Sequence, residues 1–410
     1  MKNAIQLLFI LVLTVFIGRI MDNGRMMIPE FTTPYFSGSA ILNTNFDWNF
    51  SPADADSLRR INQIEDDKER IRSLNKFKFN REPDDSRSYS LNQKGYIFIV
   101  LVSTWLFPWM GDIAAVKLFQ LLIHSLLSFL ILIQLKSSRQ KLLFFFLYII
   151  NPFVVYYAIY PFYYFWQVVP SAIAIILLRR KNYSVGFLYL TAILFALMFH
   201  IRSTSILVII VCLLLFPEHI RRLRRWGAFS IFLVLVWFFY PHTEHKHPGH
   251  IMYVSLGAYP NEYVQGFSDT VAWNAYRKHT GKQFDYQSKP GMYDASVFFA
   301  ESEWCLREYT QIAKEEPLMI LRNAALNYFQ SFGFGHFRSS LSLSYLSTLC
   351  GLIIFSFFIY RKNMKAILLI SAASLSYILY LPPLPVYMYG SYLLIIYFLI
   401  EEIFSEKESS

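Results

Sequence analysis

Asp54 and Asp56 stand two positions apart in the run Pro52-Ala-Asp-Ala-Asp-Ser-Leu-Arg-Arg60, inside a polar stretch, residues 22–93, that lies between apolar segments. In so apolar a chain a polar loop of this size is a workplace. The same two carboxylates equally suit the cap and first turn of a helix, where they meet free N–H groups and the positive end of the helix dipole. Arg202 sits inside a long apolar segment, two residues after His200. An unpaired Arg at the centre of a membrane helix costs about 2.5–3.5 kcal/mol on insertion scales, so such a residue is paired, functional or snorkelling. The stretch His242-Thr-Glu-His-Lys-His-Pro-Gly-His250 offers His242, His245, His247 and His250, with Glu244 alongside, as neutral imidazoles able to hold a divalent metal; its bland alternative is a flexible polar loop. Tyr259-Pro-Asn-Glu-Tyr263 and Gly266-Phe-Ser-Asp269 read as turns that present Glu262 and Asp269.

The elements that must position these groups are membrane helices. Of 410 residues, 55% are hydrophobic and 18% aromatic, and the mean hydropathy is positive. That is the composition of an all-α polytopic membrane protein rather than a soluble domain. Apolar runs recur at about 4–21, 95–110, 113–135, 142–160, 162–178, 185–216, 227–240, 343–360, 366–382 and 390–403, which predicts about nine to twelve crossings. The formal charge of +10 comes largely from short basic clusters between the runs, a topology signal that excludes a nucleic-acid surface. Residues 1–21 suit a cleaved signal peptide or a retained anchor; the anchor is preferred because no small-residue cleavage site follows. Two of the three cysteines, Cys212 and Cys350, fall in apolar runs and Cys305 stands alone, so no disulfide framework is read.

Placing the clusters at Lys136–Lys141, Arg179–Lys181, Arg221–Arg225 and Arg361–Lys365 on the cytoplasmic side gives a consistent parity. It requires a single net crossing between Gly95 and Leu135, with a shallow piece at 95–110 and a span at 113–135. Residues 22–93 and 241–342 then become two large extracytoplasmic loops, flanking a transmembrane core at 94–240 and followed by C-terminal helices and a tail at 343–410. Both loops contain apolar residues at helical spacing: Leu58, Ile61, Ile64, Ile71 and Leu74 in the first, Phe298, Trp304, Leu306, Ile312 and Leu318 in the second. These predict amphipathic helices at the membrane interface.

Several of these local patterns, in this order, resemble the membrane-embedded glycosyltransferases of the C class (GT-C), which include protein O-mannosyltransferases and lipid A aminoarabinose transferases. Asp54-Ala-Asp-Ser-Leu-Arg-Arg-Ile61 is similar to a loose Asp-x-x-x-Tyr helix start in the first external loop, with Leu58 at the Tyr position. Gln93-Lys-Gly-Tyr-Ile-Phe98 resembles the stretch that opens the second membrane segment, without its prolines. Asn151-Pro-Phe-Val-Val-Tyr-Tyr157 and Phe195-Ala-Leu-Met-Phe-His-Ile-Arg-Ser-Thr204 are similar to motifs of the middle hairpins. The matches cover about the first 240 residues; beyond them the likeness is architectural. The middle hairpin departs from the pattern, because Tyr160-Pro-Phe-Tyr-Tyr-Phe-Trp-Gln167 lacks the acid often found there.

The resemblance implies an inner-membrane enzyme that takes a sugar from a polyprenyl-phosphate-linked donor and passes it to an acceptor lipid, glycan or protein on the outer face. It makes Asp54 the first choice of base, Asp56 the second and Asp47 the third. Lys94, Arg202 and His200 become contacts for the donor phosphate, and Glu262 and Asp269 contacts for the acceptor. No cofactor is required, and the histidine stretch leaves a divalent metal open. Trp48, Tyr89, Tyr96, Tyr156, Tyr157, Tyr163, Tyr164 and Trp166 supply an aromatic belt or a sugar-binding wall. An O-antigen polymerase or ligase, with its chemistry at His250, Arg277 or Arg338, and a transporter of lipid-linked glycans are the competing expectations.

Overall fold

A computed structural model of the chain describes residues 2–24, 29–45, 52–82, 93–180, 183–215, 220–239, 248–282 and 295–404. Every regular element among them is helical. The chain packs as two compact units, one of residues 1–241, 289–292 and 393–410, the other of residues 242–288 and 293–392.

Among the described residues, three helices are long and apolar enough to cross a membrane: Asn3–Met21, Asp112–Leu132 and Leu341–Tyr360; a fourth span arises if the bent pair Ser138–Ile149 and Pro152–Ile159 counts as one. Five more apolar helices have only 10–17 residues. Among the described residues, then, fewer helices reach full spanning length than the roughly nine to twelve crossings expected, and local chemistry interrupts several of the apolar runs. Asn151 caps the helix Pro152–Ile159 by accepting the N–H of Phe153 at 3.0 Å, and Pro152 at the first helical position cannot donate back into the preceding turn. The two halves consequently meet at 50°. The run at 185–216 breaks at Arg202, and the run at 95–110 yields only the 13-residue helix Lys94–Leu106.

In the first unit, the Asp112–Leu132 helix turns a polar stripe towards its neighbours. Lys117 pairs with Asp22 at 2.8 Å, Gln120 donates to the carbonyls of Ala158 and Tyr160, His124 Nε2 lies 3.1 Å from the Ile149 carbonyl, and Ser125 meets Thr14 at 2.8 Å. Spacings of three and four residues put Lys117, Gln120 and His124 on one face, with Ser125 at its edge. They stitch the Lys2–Met21 helix and the bent pair onto it through hydrogen bonds rather than through oil-like packing alone. The periodic stretch at 55–76 forms two helices, Pro52–Asn62 and Asp67–Lys76, because Asp66 caps the second by accepting the N–H groups of Lys68 and Glu69.

The second unit is built on the helices Pro248–Leu256, Asp269–Thr280 and Ala295–Glu315, which enclose Tyr253, Ala272, Tyr276, Trp304, Cys305 and Ile312. Pro317–Gln330 continues the last of these and packs on Leu341–Tyr360, with Gln330 donating to the Ser344 carbonyl and Asn327 to that of Ile378.

Candidate functional site

The first unit gathers three of the sequence-predicted cations and donors at one helix crossing. The helix Val185–Ile201 ends where Arg202 turns extended, at φ −155° and ψ 110°, while its N–H still reaches the Met198 carbonyl. Gly95 makes the crossing possible: a Cβ there would stand 2.7 Å from the Ile201 nitrogen and 2.8 Å from the His200 carbonyl carbon. The start of the Lys94–Leu106 helix therefore rests directly on the end of Val185–Ile201, and the Lys94 charge falls within electrostatic range of His200. His200 itself holds the Leu235 carbonyl at 3.4 Å.

The Arg202 guanidinium lies over two rings, 5.1 Å from the centroid of Tyr163 and 5.2 Å from that of Tyr164, and its Nε donates to Thr204 at 3.1 Å. Stacking of this kind contributes about 0.5–2 kcal/mol, more as water is removed. The rings belong to the Tyr-rich segment after Pro161, which closes into the 3-10 turn Tyr163–Gln167. Tyr35 packs edge-on against Tyr96, Phe162 and Tyr163 and donates to Gln93, so the polar stretch before the acidic run supplies a wall that its sequence did not announce. The Tyr96 hydroxyl is wholly buried and lacks a hydrogen-bond partner among the described residues.

Asp54 sits at the third position of its helix, 2% exposed, and not at the cap. It accepts the Ser37 hydroxyl at 2.5 Å and the Asn80 N–H at 3.2 Å. Burial raises its pKa above the usual carboxylate range, against the lowering effect of Ser37 and Asn80. Asp112 takes the adjacent Phe79 N–H at 2.9 Å, so two carboxylates fix the irregular backbone at 77–80. Asp54 thus has a structural task whatever else it does. Ser37 and Tyr35 lie on the helix Pro29–Asn45, which connects the acid to the aromatic wall. Asp56 is exposed and pairs with Arg59 at 2.9 Å on its own helix, an ordinary surface pair rather than a buried base. Asp47, Trp48 and Tyr89 lie outside the described residues.

In the second unit His250 is 6% exposed and bonded on both sides: Nδ1 is 2.7 Å from Glu301 and Nε2 is 3.5 Å from Asp269. Burial alone would lower its pKa, but the two carboxylates outweigh that and raise it to about 9. When the ring is protonated, both of its nitrogens are donors facing these carboxylates. The other three histidines of that stretch, His242, His245 and His247, lie outside the described residues. Among the described residues no group of three or more His, Cys, Asp or Glu side chains is arranged to hold a metal ion.

Asp269 is committed to His250, which holds its carboxyl below the usual range against the opposing effect of burial, while Glu262 is exposed on a turn. That turn is organised by Asn261, whose amide donates to the carbonyls of Leu256, Tyr259 and Val264. Glu301, fully buried, is the member of the cluster that sequence reading missed. Its signal is an acid on an otherwise apolar helix face, three residues before Trp304 and four before Cys305. No protein-family model, curated protein or solved structure matches the chain.

Proposed function

We propose that the chain is a multi-pass membrane glycosyltransferase of the GT-C kind, working in a bacterial inner membrane on a polyprenyl-phosphate-linked sugar. The observation that supports this reading is the Arg202 guanidinium stacked on Tyr163 and Tyr164, one residue past the point where Gly95 rests on the end of the Val185–Ile201 helix. A cation held at a break between short apolar helices suits a phosphate carried on a lipid, and the rings beside it suit a sugar or prenyl face.

In the transfer, the acceptor hydroxyl oxygen bonds to the anomeric carbon while the bond from that carbon to the phosphate oxygen breaks. The acceptor proton passes to a carboxylate, and polyprenyl phosphate leaves with its negative charge. Arg202 and Lys94, with His200 as a further donor, stabilise that charge as it develops. Asp54 is the proposed proton acceptor: burial strengthens it as a base, and an acceptor hydroxyl entering in place of Ser37 would meet the same oxygen. His250 has both ring nitrogens facing carboxylates that favour its protonated form, and this weighs against a polymerase-type mechanism with His250 as its base.

The test is transfer in membranes carrying Arg202→Ala, Arg202→Lys or Asp54→Asn, with the lipid-linked sugar pool measured by mass spectrometry. Removal of one stabiliser of developing charge costs about 10²–10³ in rate. Arg202→Ala should lose transfer on that scale and accumulate the donor, and Lys should restore part of it. Wild-type transfer by Arg202→Ala at equal protein level would sink the reading.

A further inference from the structure

The second unit contains a cavity of about 370 Å³ that the mechanism above does not use. It is formed by the turn at 257–267 on one side and by His336, Arg338 and Leu341 on the other. Its walls are preset. A Cβ on Gly257 would come within 2.1 Å of the Gly266 carbonyl oxygen, so the two ends of the turn touch backbone to backbone. Gly335 adopts φ +91°, a conformation that favours glycine, and the next residue, His336, donates its N–H to the Pro383 carbonyl at 2.8 Å. Asn261 spends its whole amide group on locking the turn, donating to three carbonyls and accepting the N–H groups of Tyr263 and Val264.

Three lining groups keep hydrogen-bonding capacity. The His336 ring is 2% exposed, wedged edge-on between Tyr259 at 5.4 Å and Phe267 at 5.7 Å, and its Nδ1 has no partner among the described residues. Burial, and secondarily the Arg338 charge, push its pKa down to about 4, so at neutral pH it is an uncharged ring that can donate at one nitrogen and accept at the other. Arg338 is exposed and held 4.5 Å above the Phe267 ring; it lies within electrostatic range of the Asp269 carboxylate, which His250 already engages. Gln265 is exposed at the rim, its amide uncommitted among the described residues.

We propose that this cavity binds an anion-bearing saccharide unit, its acidic group on Arg338 and its hydroxyls on His336 and Gln265. An anchored guanidinium takes a carboxylate in bidentate fashion. The volume lies at the small end of ligand clefts, about 300–1,000 Å³, which suits a sugar ring or two and is too small for a polyprenyl tail. A bare anion would leave most of the space and the apolar walls of Phe267, Ala258 and Pro260 unfilled; a pyranose presents C–H faces to such walls and hydroxyls to the rest. Leu341, the first residue of the long apolar helix Leu341–Tyr360, closes one side, so the cavity opens where that helix begins. This assignment does not draw on the glycosyltransferase reading and stands or falls separately from it.

The test is titration of the full-length protein in phosphatidylcholine nanodiscs with glucuronic acid, glucose and inorganic phosphate, followed by saturation-transfer NMR. Glucuronic acid should saturate, with glucose and phosphate at least about tenfold weaker, the discrimination expected for one charge-assisted contact. Arg338→Gln, an exposed change that leaves the thermal midpoint in place, should weaken glucuronic acid at least tenfold and leave glucose unaltered. No saturation by glucuronic acid, equal affinity in Arg338→Gln, or phosphate binding as tightly as glucuronic acid would each overturn the assignment. Because the titration contains no donor lipid, its result is independent of whether Arg202 variants lose transfer.

Discussion

Protonated His250, clasped by Glu301 and Asp269, makes the stability of the second unit depend on pH in a direction and size that follow from its surroundings. Its pKa stands at about 9 in the folded chain against an ordinary 6.5. At 1.36 kcal/mol for each pKa unit, that gap corresponds to about 3 kcal/mol of folding free energy. A group whose pKa rises on folding contributes fully below its unfolded value and loses the contribution as pH passes its folded value. The stabilisation is therefore complete below pH 6.5 and fades as pH rises through about 9. Both carboxylates supply it: Asp269 through a hydrogen bond at 3.5 Å from a half-exposed position, and Glu301, 0% exposed, at 2.7 Å. Breaking a buried pair by removing one partner costs about 3–5 kcal/mol, consistent with that figure. The assay is thermal unfolding of the detergent-solubilised protein between pH 6 and 10, read through tryptophan fluorescence, since Trp273 and Trp304 lie in this unit. Wild type should lose stability steadily across the alkaline half, while His250→Gln should be less stable at pH 6.5 and nearly flat above it. Glu301→Gln and Asp269→Asn should each remove part of the slope, and the double change most of it. A His250→Gln profile parallel to wild type would refute the reasoning.

Three further outcomes follow from contacts in the first unit. Gly95→Ala forces a methyl into the backbone of Ile201 and His200, an overpacking cost of about 1–3 kcal/mol; stability should fall by that amount, as should transfer under the proposed function, and unaltered stability would contradict the crossing. Lys117→Met strands Asp22, only 11% exposed, and should destabilise the protein more than the double change Lys117→Met with Asp22→Leu, measured as a double-mutant cycle. Ser37→Ala removes the stronger of the two donors to Asp54, so the Asp54 pKa should rise further, and any pH–rate profile governed by this carboxylate should move its acidic limb to higher pH.

The apolar runs were legible because their hydropathy is local, and each corresponds to one or two helices. Their interruptions were partly legible: Asn151-Pro152 has a sequence signature, whereas the break at Arg202 followed only from the presence of a charge. The meeting of Lys94, His200 and Arg202 at one crossing depends on Gly95 facing a helix about a hundred residues later, and no periodicity records that pairing. The Asp54 carboxylate was visible, but its partners were not, because Ser37 and Asn80 are ordinary residues that become donors only through the fold. His250 was noticed for its histidine neighbours, yet what governs it is Glu301, which sits among apolar residues on a helix 51 positions away.

The shortness of the apolar helices has a mechanical consequence for a surrounding bilayer. Lys94–Leu106, with 13 residues, extends about 20 Å, and Val185–Ile201, with 17, about 26 Å. A hydrocarbon layer of about 30 Å would have to pinch inwards beside them. Their common crossing carries Lys94 and Arg202, so the pinch would fall where those charges sit and let water and lipid head groups descend to them. In the proposed membrane setting, a phosphate fixed to a lipid would not need to be pulled out of its leaflet; the leaflet would dip to meet the protein.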